Sequence, residues 1–460
     1  MYHGWSSRET GTKKRDKVEK KRDGAPKAHL SGPLGQSPKK LPSGRLGRMA
    51  RLAGLAVNTG AGMVLGGEGA DTKVAEKTAQ VLGTLRGLAA KMGQMASYVD
   101  GLVPEDKRDA FEASLKVLRA QAPRSNADEI KRVLEEDLGK PVAELFTTFE
   151  DEPIASASIG QVHRATLEDG TEVAVKVQHP GIRKAIESDL SNAGILESLA
   201  AMSGARRFDS KGHLEVMRQR FREELDYALE AERLTAFGKL HEGDPMIVVP
   251  SLVADRSGKS VLTTHFVKGR GFDDVLGEPE EQRRAWAEAL WRFVFKGNLV
   301  GGMFNADPHP GNYVFQDDGR IAFLDYGCVQ VIPFNRRPLA RALHRAAVER
   351  DEKKFERCVS ALLDTKPGRL EDASRRYSRL CFEPLFQQPY RITRSYAASL
   401  VDEMKSMAMA ARKLPDEEVF PMPNEMLFMN RLQFGFYSVL ARLDVEVDYA
   451  AVESRFLPPT

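Results

Sequence analysis

The sequence predicts an α+β fold in two lobes, a smaller one built on a sheet and a larger one mostly helical. Three observations carry this. Short apolar runs around residues 150–180 alternate as strands do, and Glu168-Asp169-Gly170-Thr171 supplies a hairpin turn before Val173-Ala174-Val175-Lys176-Val177. From Glu280 onward apolar residues recur at helical spacing, first in Trp286, Leu290, Trp291, Phe293 and Val294, later in Leu339, Leu343, Phe355, Val359, Leu362 and Leu363. Between the two patterns lies a strand-like run, Ile321-Ala322-Phe323-Leu324, flanked by loops rich in oxygen-bearing side chains.

With 460 residues the chain has room for about two or three domains. Hydrophobic residues make up 42% and charged ones 29%, the balance of a folded globular protein, and a net charge of only +3 gives no reason to expect a nucleic-acid partner. Cys328, Cys358 and Cys381 form no Cys-x-x-Cys pair, which argues against a zinc site or a disulfide framework and for a reducing, cytoplasmic setting. No run reaches the roughly eighteen uninterrupted apolar residues that span a bilayer, and the N-terminus carries no secretory signal pattern.

In chain order, residues 1–48 hold Lys13-Lys14-Arg15, Lys20-Lys21-Arg22 and Lys39-Lys40 with almost no apolar periodicity, so a disordered basic tail is expected. Residues 49–140 form an N-terminal helical extension. Val81, Leu85 and Leu88 lead at helical spacing to Lys91-Met92-Gly93-Gln94, where Lys91 and Gln94 share a helix face. Ser125 or Asn126 caps an amphipathic helix to Leu138, with Ile130, Val133 and Leu134 as its stripe. Residues 141–267 make the small lobe and 268–460 the helical large lobe, with inserted helix from His179 to Ala205 and a long charged helix from Leu214 to Leu240.

The chemistry rests on spacing. Asp307 is followed five positions later by Asn312, and thirteen further on by Asp325 in Leu324-Asp325-Tyr326-Gly327. In protein kinases such an Asp orients the attacking group, while the Asn and second Asp hold magnesium against the ATP phosphates. A turn alone would explain Asp-Pro-His-Pro-Gly-Asn; the second Asp tips the reading to chemistry. Lys176, on its Val-Ala-Val-Lys strand beside Ala174, then meets the phosphates as a point charge. The loop Ala155-Ser156-Ala157-Ser158-Ile159-Gly160, leading into Val162, covers the nucleotide. Ala155 and Ala157 carry a Cβ where such loops carry Gly, so altered nucleotide preference or slower turnover is expected. His265, Phe266 and Val267 occupy the hinge that would hydrogen-bond adenine, with His265 read as a packed strand residue rather than a ligand. A helix carboxylate must hold Lys176 in place, and the charged helix offers five acids, Glu223, Glu224, Asp226, Glu230 and Glu232, with Glu230 a good match for the pairing. The tryptophans read as core anchors.

Lys91-Met92-Gly93-Gln94, the Ala-Ser-Ala-Ser loop, Glu224-Leu225-Asp226-Tyr227 and Asp307-Pro-His-Pro-Gly-Asn312, in that order, resemble the UbiB/AarF family of atypical kinases over roughly residues 49–450. The resemblance implies a two-lobed protein-kinase-like fold binding ATP or ADP with Mg2+, and ATPase activity tied to ubiquinone or other prenyl-lipid metabolism at a membrane. It also implies that the extension lies across the active site, giving Lys91 and Gln94 a catalytic or regulatory role, and that Glu224 and Asp226 form a Glu-x-Asp motif. Expected partners are the nucleotide, a prenyl lipid or quinone precursor, a membrane surface met peripherally at its inner face, and quinone-biosynthesis proteins. The competing readings are a nucleotide-gated lipid-binding scaffold without phosphotransfer and a small-molecule phosphotransferase. A metallohydrolase on Asp307, His309 and Asp325 would leave Lys176 unexplained.

Overall fold

The computed structural model describes residues 125–156, 159–190, 219–411, 414–415 and 424–458. The chain divides into two compact units, Met1–Pro42 and Ser43–Thr460, and the described residues all belong to the second. The basic tail, Lys91, Gln94, Ala157, Ser158 and most of the inserted helical stretch lie outside them.

The small lobe begins with helix α1 (Ala127–Leu138). Asn126, not Ser125, caps it, accepting from Asp128 N at 3.0 Å, and Gly139 ends it in the left-handed region. Strands β1 (Thr148–Phe149), β2 (Ala155–Ser156), β3 (Gly160–Thr166), β4 (Glu172–Gln178) and β6 (Val261–His265) form one antiparallel sheet. Both β1 and β2 pair with β3, which pairs with β4, which pairs with β6. Alternation along β4 sends Val173, Val175 and Val177 into a core shared with Ile130 and Leu134 of α1, and turns Ala174 and Lys176 to the opposite face. That face is the one the nucleotide reading needs.

Helix α2 (Ile182–Leu190) follows β4, and α3 (Tyr227–Leu240) packs against β6 through Tyr227, Ala231 and Leu262. The single helix expected from Leu214 to Leu240 is broken. Leu225 is a turn and Asp226 takes extended angles, with its carboxylate accepting from Leu229 N at 3.2 Å. The Leu225 carbonyl goes instead to Gln178 Nε2 (2.8 Å) and Arg183 Nη2 (2.5 Å), so its helical bond is replaced by two tertiary ones.

In the large lobe, α4 (Glu280–Lys296) runs into a π-helical turn, Gly297–Gly301, and then β7 (Met303–Asn305). Strands β8 (Tyr313–Phe315) and β9 (Ile321–Phe323) form a hairpin, with β5 (Ile247–Val248) added parallel to β9; β10 (Val329–Val331) pairs antiparallel with β7. Helices α5 (Arg337–Val348), α6 (Glu352–Leu363), α7 (Arg369–Cys381), α8 (Arg394–Ala411) and α9 (Asn424–Leu443) complete it with α10 (Tyr449–Ser454). The expectation of helix throughout 335–450 is corrected by a two-stranded ribbon, β11 (Tyr390–Arg391) with β12 (Glu446–Val447). Trp286 and Trp291 sit in the core, with ring nitrogens donating to Gly319 O (2.8 Å) and Glu453 Oε1 (3.0 Å). Among the described residues no helix is long and apolar enough to cross a membrane.

Candidate nucleotide site

Lys176 is the pivot. Its register on β4 sets it opposite Val162 on one side and Leu262 on the other, so its stem lies in the middle of the sheet. Its Nζ donates to both oxygens of Glu230, at 2.7 and 2.9 Å, and lies 3.4 Å from Asp325 Oδ2. Tyr227, one turn before Glu230 on α3, puts its ring 5.0 Å from the same ammonium. The choice left open between Glu224 and Glu230 falls to Glu230 in this arrangement. Asp226 serves as the cap of α3, and Glu224 lies just before the break.

Burial opposes the charge on Lys176, but the carboxylates of Asp325 and Glu230 outweigh it and hold the ammonium well above the ordinary lysine range. Burial pushes Glu230 above the ordinary carboxylate range, Lys176 draws it back and Asp325 raises it again, for a net upward shift. Two carboxylates facing one ammonium leave an excess of negative charge, which a divalent cation would offset.

Asp325 is fixed by its own loop. Its Oδ1 accepts from Gly327 N at 2.9 Å, and its carbonyl accepts from Asn305 Nδ2 at 2.6 Å. Asn305 also accepts from Asp307 N at 3.0 Å, so one side chain ties the two acidic loops together. The Asp307 carbonyl receives His309 N (2.8 Å) and Asn312 Nδ2 (3.2 Å), and the Asn312 carbonyl receives Leu324 N (3.0 Å). The Asn312 amide nitrogen is thus engaged with the Asp307 carbonyl. From above, Gly435 of α9 packs on Pro308, where a Cβ would lie 2.7 Å from Cγ; no larger residue fits without moving the loop.

The nucleotide loop begins with Ala155 opposite Val162 and Ser156 opposite Gln161. At its far end a Cβ on Gly160 would stand 2.5 Å from Val177 O and 2.7 Å from the Tyr227 hydroxyl, so this glycine permits the close approach of β3 to β4. Ile159 O accepts from His179 N at 2.9 Å, and Ser125 holds His179 Nδ1 at 2.8 Å. At the hinge, His265 N donates to Ser251 O and Phe266 N to Glu172 O, both at 2.9 Å, which leaves Val267 as the next amide along. The reading of His265 as packed is corrected: its side chain is exposed where β6 leaves the sheet.

The donor set fits magnesium better than a caged metal. Asp325 and Asn312 offer one carboxylate and one amide oxygen, and Mg2+ is held by one or two carboxylates with substrate phosphates and retained waters. Among the described residues no group of three or more His, Cys, Asp or Glu side chains forms a metal cage.

Sequence reasoning gave no role of their own to Asn305, Tyr227, Arg233 or Gly435, and carried Glu223 only as one of five acids on the charged helix. The signal for two of them was present, since Tyr227, Glu230 and Arg233 recur at three-residue spacing and share a helix face.

A strand lysine held by a helix glutamate, an aspartate before a glycine, and an Asp–Asn loop beneath them define a protein-kinase-like fold and site. Residues 117–359 match the ABC1 atypical kinase-like domain, and the chain belongs to that family. Zebrafish (Danio rerio) atypical kinase COQ8B, mitochondrial, is 30% identical over 316 residues, 64% of this chain and 50% of that protein. The rat (Rattus norvegicus) COQ8B is 32% identical over 63% of this chain and 57% of its own. Arabidopsis thaliana ACTIVITY OF BC1 COMPLEX KINASE 7, chloroplastic, is 28% identical over 80% and 51%. The chain thus spans about half the length of the curated relatives it matches. The Rv3197–erythromycin complex from Mycobacterium tuberculosis is similar in structure, with TM-score 0.56 and 28% identity, covering 84% of this chain and 97% of that one.

Proposed function

We propose that this chain is an atypical kinase or ATPase that binds ATP or ADP with Mg2+ and hydrolyses ATP in support of isoprenoid-quinone (ubiquinone) or other prenyl-lipid metabolism. The observation that carries the reading is the contact of Lys176 with Glu230 and Asp325, standing beside the loop of Asp307 and Asn312. Lys176 meets the phosphates as a fixed positive charge, and Glu230 holds it there. Asp307 orients the attacking hydroxyl or water and takes up its proton. Asn312 and Asp325 hold the cation. Magnesium, when bound, neutralises the charge on the phosphates. The Ala155–Gly160 loop covers the nucleotide and the backbone near Val267 receives adenine. Lys91 and Gln94 act from the extension over the site.

Membrane contact in this reading is peripheral, at the inner face, and the partners are a prenyl lipid or quinone precursor and the proteins that process it. Relatives named as mitochondrial and chloroplastic support an organellar context.

The test is ATP consumption by purified protein with magnesium, with and without anionic liposomes. Asp307→Asn is expected to lower turnover by about 10²- to 10⁴-fold, and Lys176→Ala to abolish stimulation by liposomes. Full activity in both variants overturns the proposal. Ala155, whose Cβ stands where a glycine would admit phosphate, favours a second reading: a nucleotide-gated lipid-binding scaffold. Tight nucleotide binding without turnover selects that reading.

A further inference from the structure

The segment before α3 and the segment after Asp325 are joined by a set of ionic contacts outside the Lys176 cluster. Glu223 Oε2 receives Arg220 Nη1 at 2.7 Å and Arg233 Nη2 at 2.5 Å, and all three side chains are largely buried. Neither arginine is spent on Glu223 alone. Arg233 Nη1 donates to Gly327 O at 3.0 Å, Arg220 Nη1 donates to Val329 O at 2.9 Å, and Arg220 also holds Gln330. One carbonyl of the loop that carries Asp325 and one at the start of β10, where that loop ends, are therefore held by guanidinium groups locked to one carboxylate.

Arg233 lies one turn beyond Glu230 on α3, and Glu230 also receives Tyr326 N at 3.4 Å. One helix thus reaches the metal loop through two side chains, one on the amide side of Tyr326 and one on the carbonyl side of Gly327. A movement of α3 that separates Glu230 from Lys176 also breaks both. Charge-assisted bonds to carbonyls are about twice as strong as neutral ones, and the fork of Arg fixes direction as well as distance.

We infer that Glu223, Arg220 and Arg233 form a clamp that sets the Asp325 loop in register with α3, with Arg233 a positioning residue for the cation site. The clamp makes the lysine–glutamate contact and the metal-binding posture of Asp325 one cooperative unit. The inference about turnover rests on the nucleotide reading above; the inference about the loop does not.

The experiment has two arms. Hydrogen exchange of the full chain is followed over the peptide 324–331 for wild type, Arg233→Met, Arg233→Lys and Glu223→Gln. Arg233→Met and Glu223→Gln should speed exchange there about tenfold or more, with the large-lobe helices unchanged and Arg233→Lys intermediate. Unchanged exchange in that peptide overturns the clamp, and so does equal acceleration across the large lobe. Glu223→Gln decides the matter if Arg233→Met does not fold. In the second arm, the magnesium concentration for half-maximal ATP turnover should rise about tenfold in Arg233→Met, with maximal turnover at saturating magnesium largely kept. A fall in maximal turnover at unchanged magnesium dependence overturns the positioning role. Wild-type protein that hydrolyses no ATP refutes the proposed function, and the exchange arm still decides the clamp.

Discussion

Two buried glutamates of this molecule do different work. Glu230, 2% exposed, faces Lys176 and through it Asp325, on a helix that ends at loops. Glu453, 0% exposed, receives Trp291 Nε1 at 3.0 Å and His344 Nδ1 at 2.9 Å within the helical core of the large lobe. Both are satisfied in hydrogen bonds, as buried carboxylates must be. The difference lies in what they are tied to. Glu453 joins α4, α5 and α10, elements that bury one another's apolar faces, so its bonds close a packed region. Glu230 joins a strand lysine and a loop amide, and the cluster retains surplus negative charge on the side that would receive a ligand. Burial alone therefore does not mark a candidate functional acid; a cluster of charged groups left out of balance does.

The contrast is broken most severely at Glu453. Glu453→Leu leaves the Trp291 and His344 nitrogens buried without acceptors, and should lower unfolding free energy by about 3 kcal/mol. Urea denaturation measures it, and ATP turnover per folded molecule should be unchanged. Glu230→Gln should do the reverse. Lys176 keeps Asp325 as a charged partner and the amide oxygen of the new side chain as an acceptor, so the loss of stability should stay below that of Glu453→Leu, at about 1–2 kcal/mol. Turnover should fall about 10- to 100-fold, equivalent to about 1.4–2.7 kcal/mol. If both substitutions lower stability alike and spare turnover, the distinction between the two acids fails.

The smallest effect concerns a third buried polar group, His241, at the C-terminal end of α3. Burial, with Lys296 nearby, lowers its pKa to about 3. Its ring stacks on Phe237 and Phe293, and both ring nitrogens lack a hydrogen-bond partner among the described residues. The unfolded chain takes up a proton near pH 6.5 and the folded chain does not. This residue's contribution is therefore intact above pH 6.5 and is lost as pH falls from there toward 3. Between pH 7 and 5 the loss should be about 2 kcal/mol. His241→Phe should flatten that slope and raise stability at neutral pH by about 1 kcal/mol, as thermal unfolding across the pH range will show. An undiminished slope in the variant assigns the pH dependence to other groups.

The strands around Lys176, the amphipathic helix with its two tryptophans, and the order of Lys176, Asp307, Asn312 and Asp325 were legible because local patterns carry them. Period-two alternation places Lys176 opposite the valines, and the Asp–Asn–Asp spacing lies on two successive loops. The break at Leu225–Asp226 was not legible. Helical periodicity runs straight through it, and the chain leaves the helix because Gln178 and Arg183 take the Leu225 carbonyl. Nor could the sequence distinguish Glu224 from Glu230, or see that Glu223 gathers two arginines, since five acids on one charged stretch look alike.

By itself the sequence determined which side chains are candidates to meet phosphate and cation, and the lobe each belongs to, because hydrophobic periodicity and turn chemistry act over a few residues. Only the tertiary structure decided which of them meet. Lys176 finds Glu230 across 54 positions and Asp325 across 149, and Arg233 finds the Gly327 carbonyl across 94. Such pairs are chosen by packing of α3 on β6 and by the loops it reaches. Those are properties of the assembled chain.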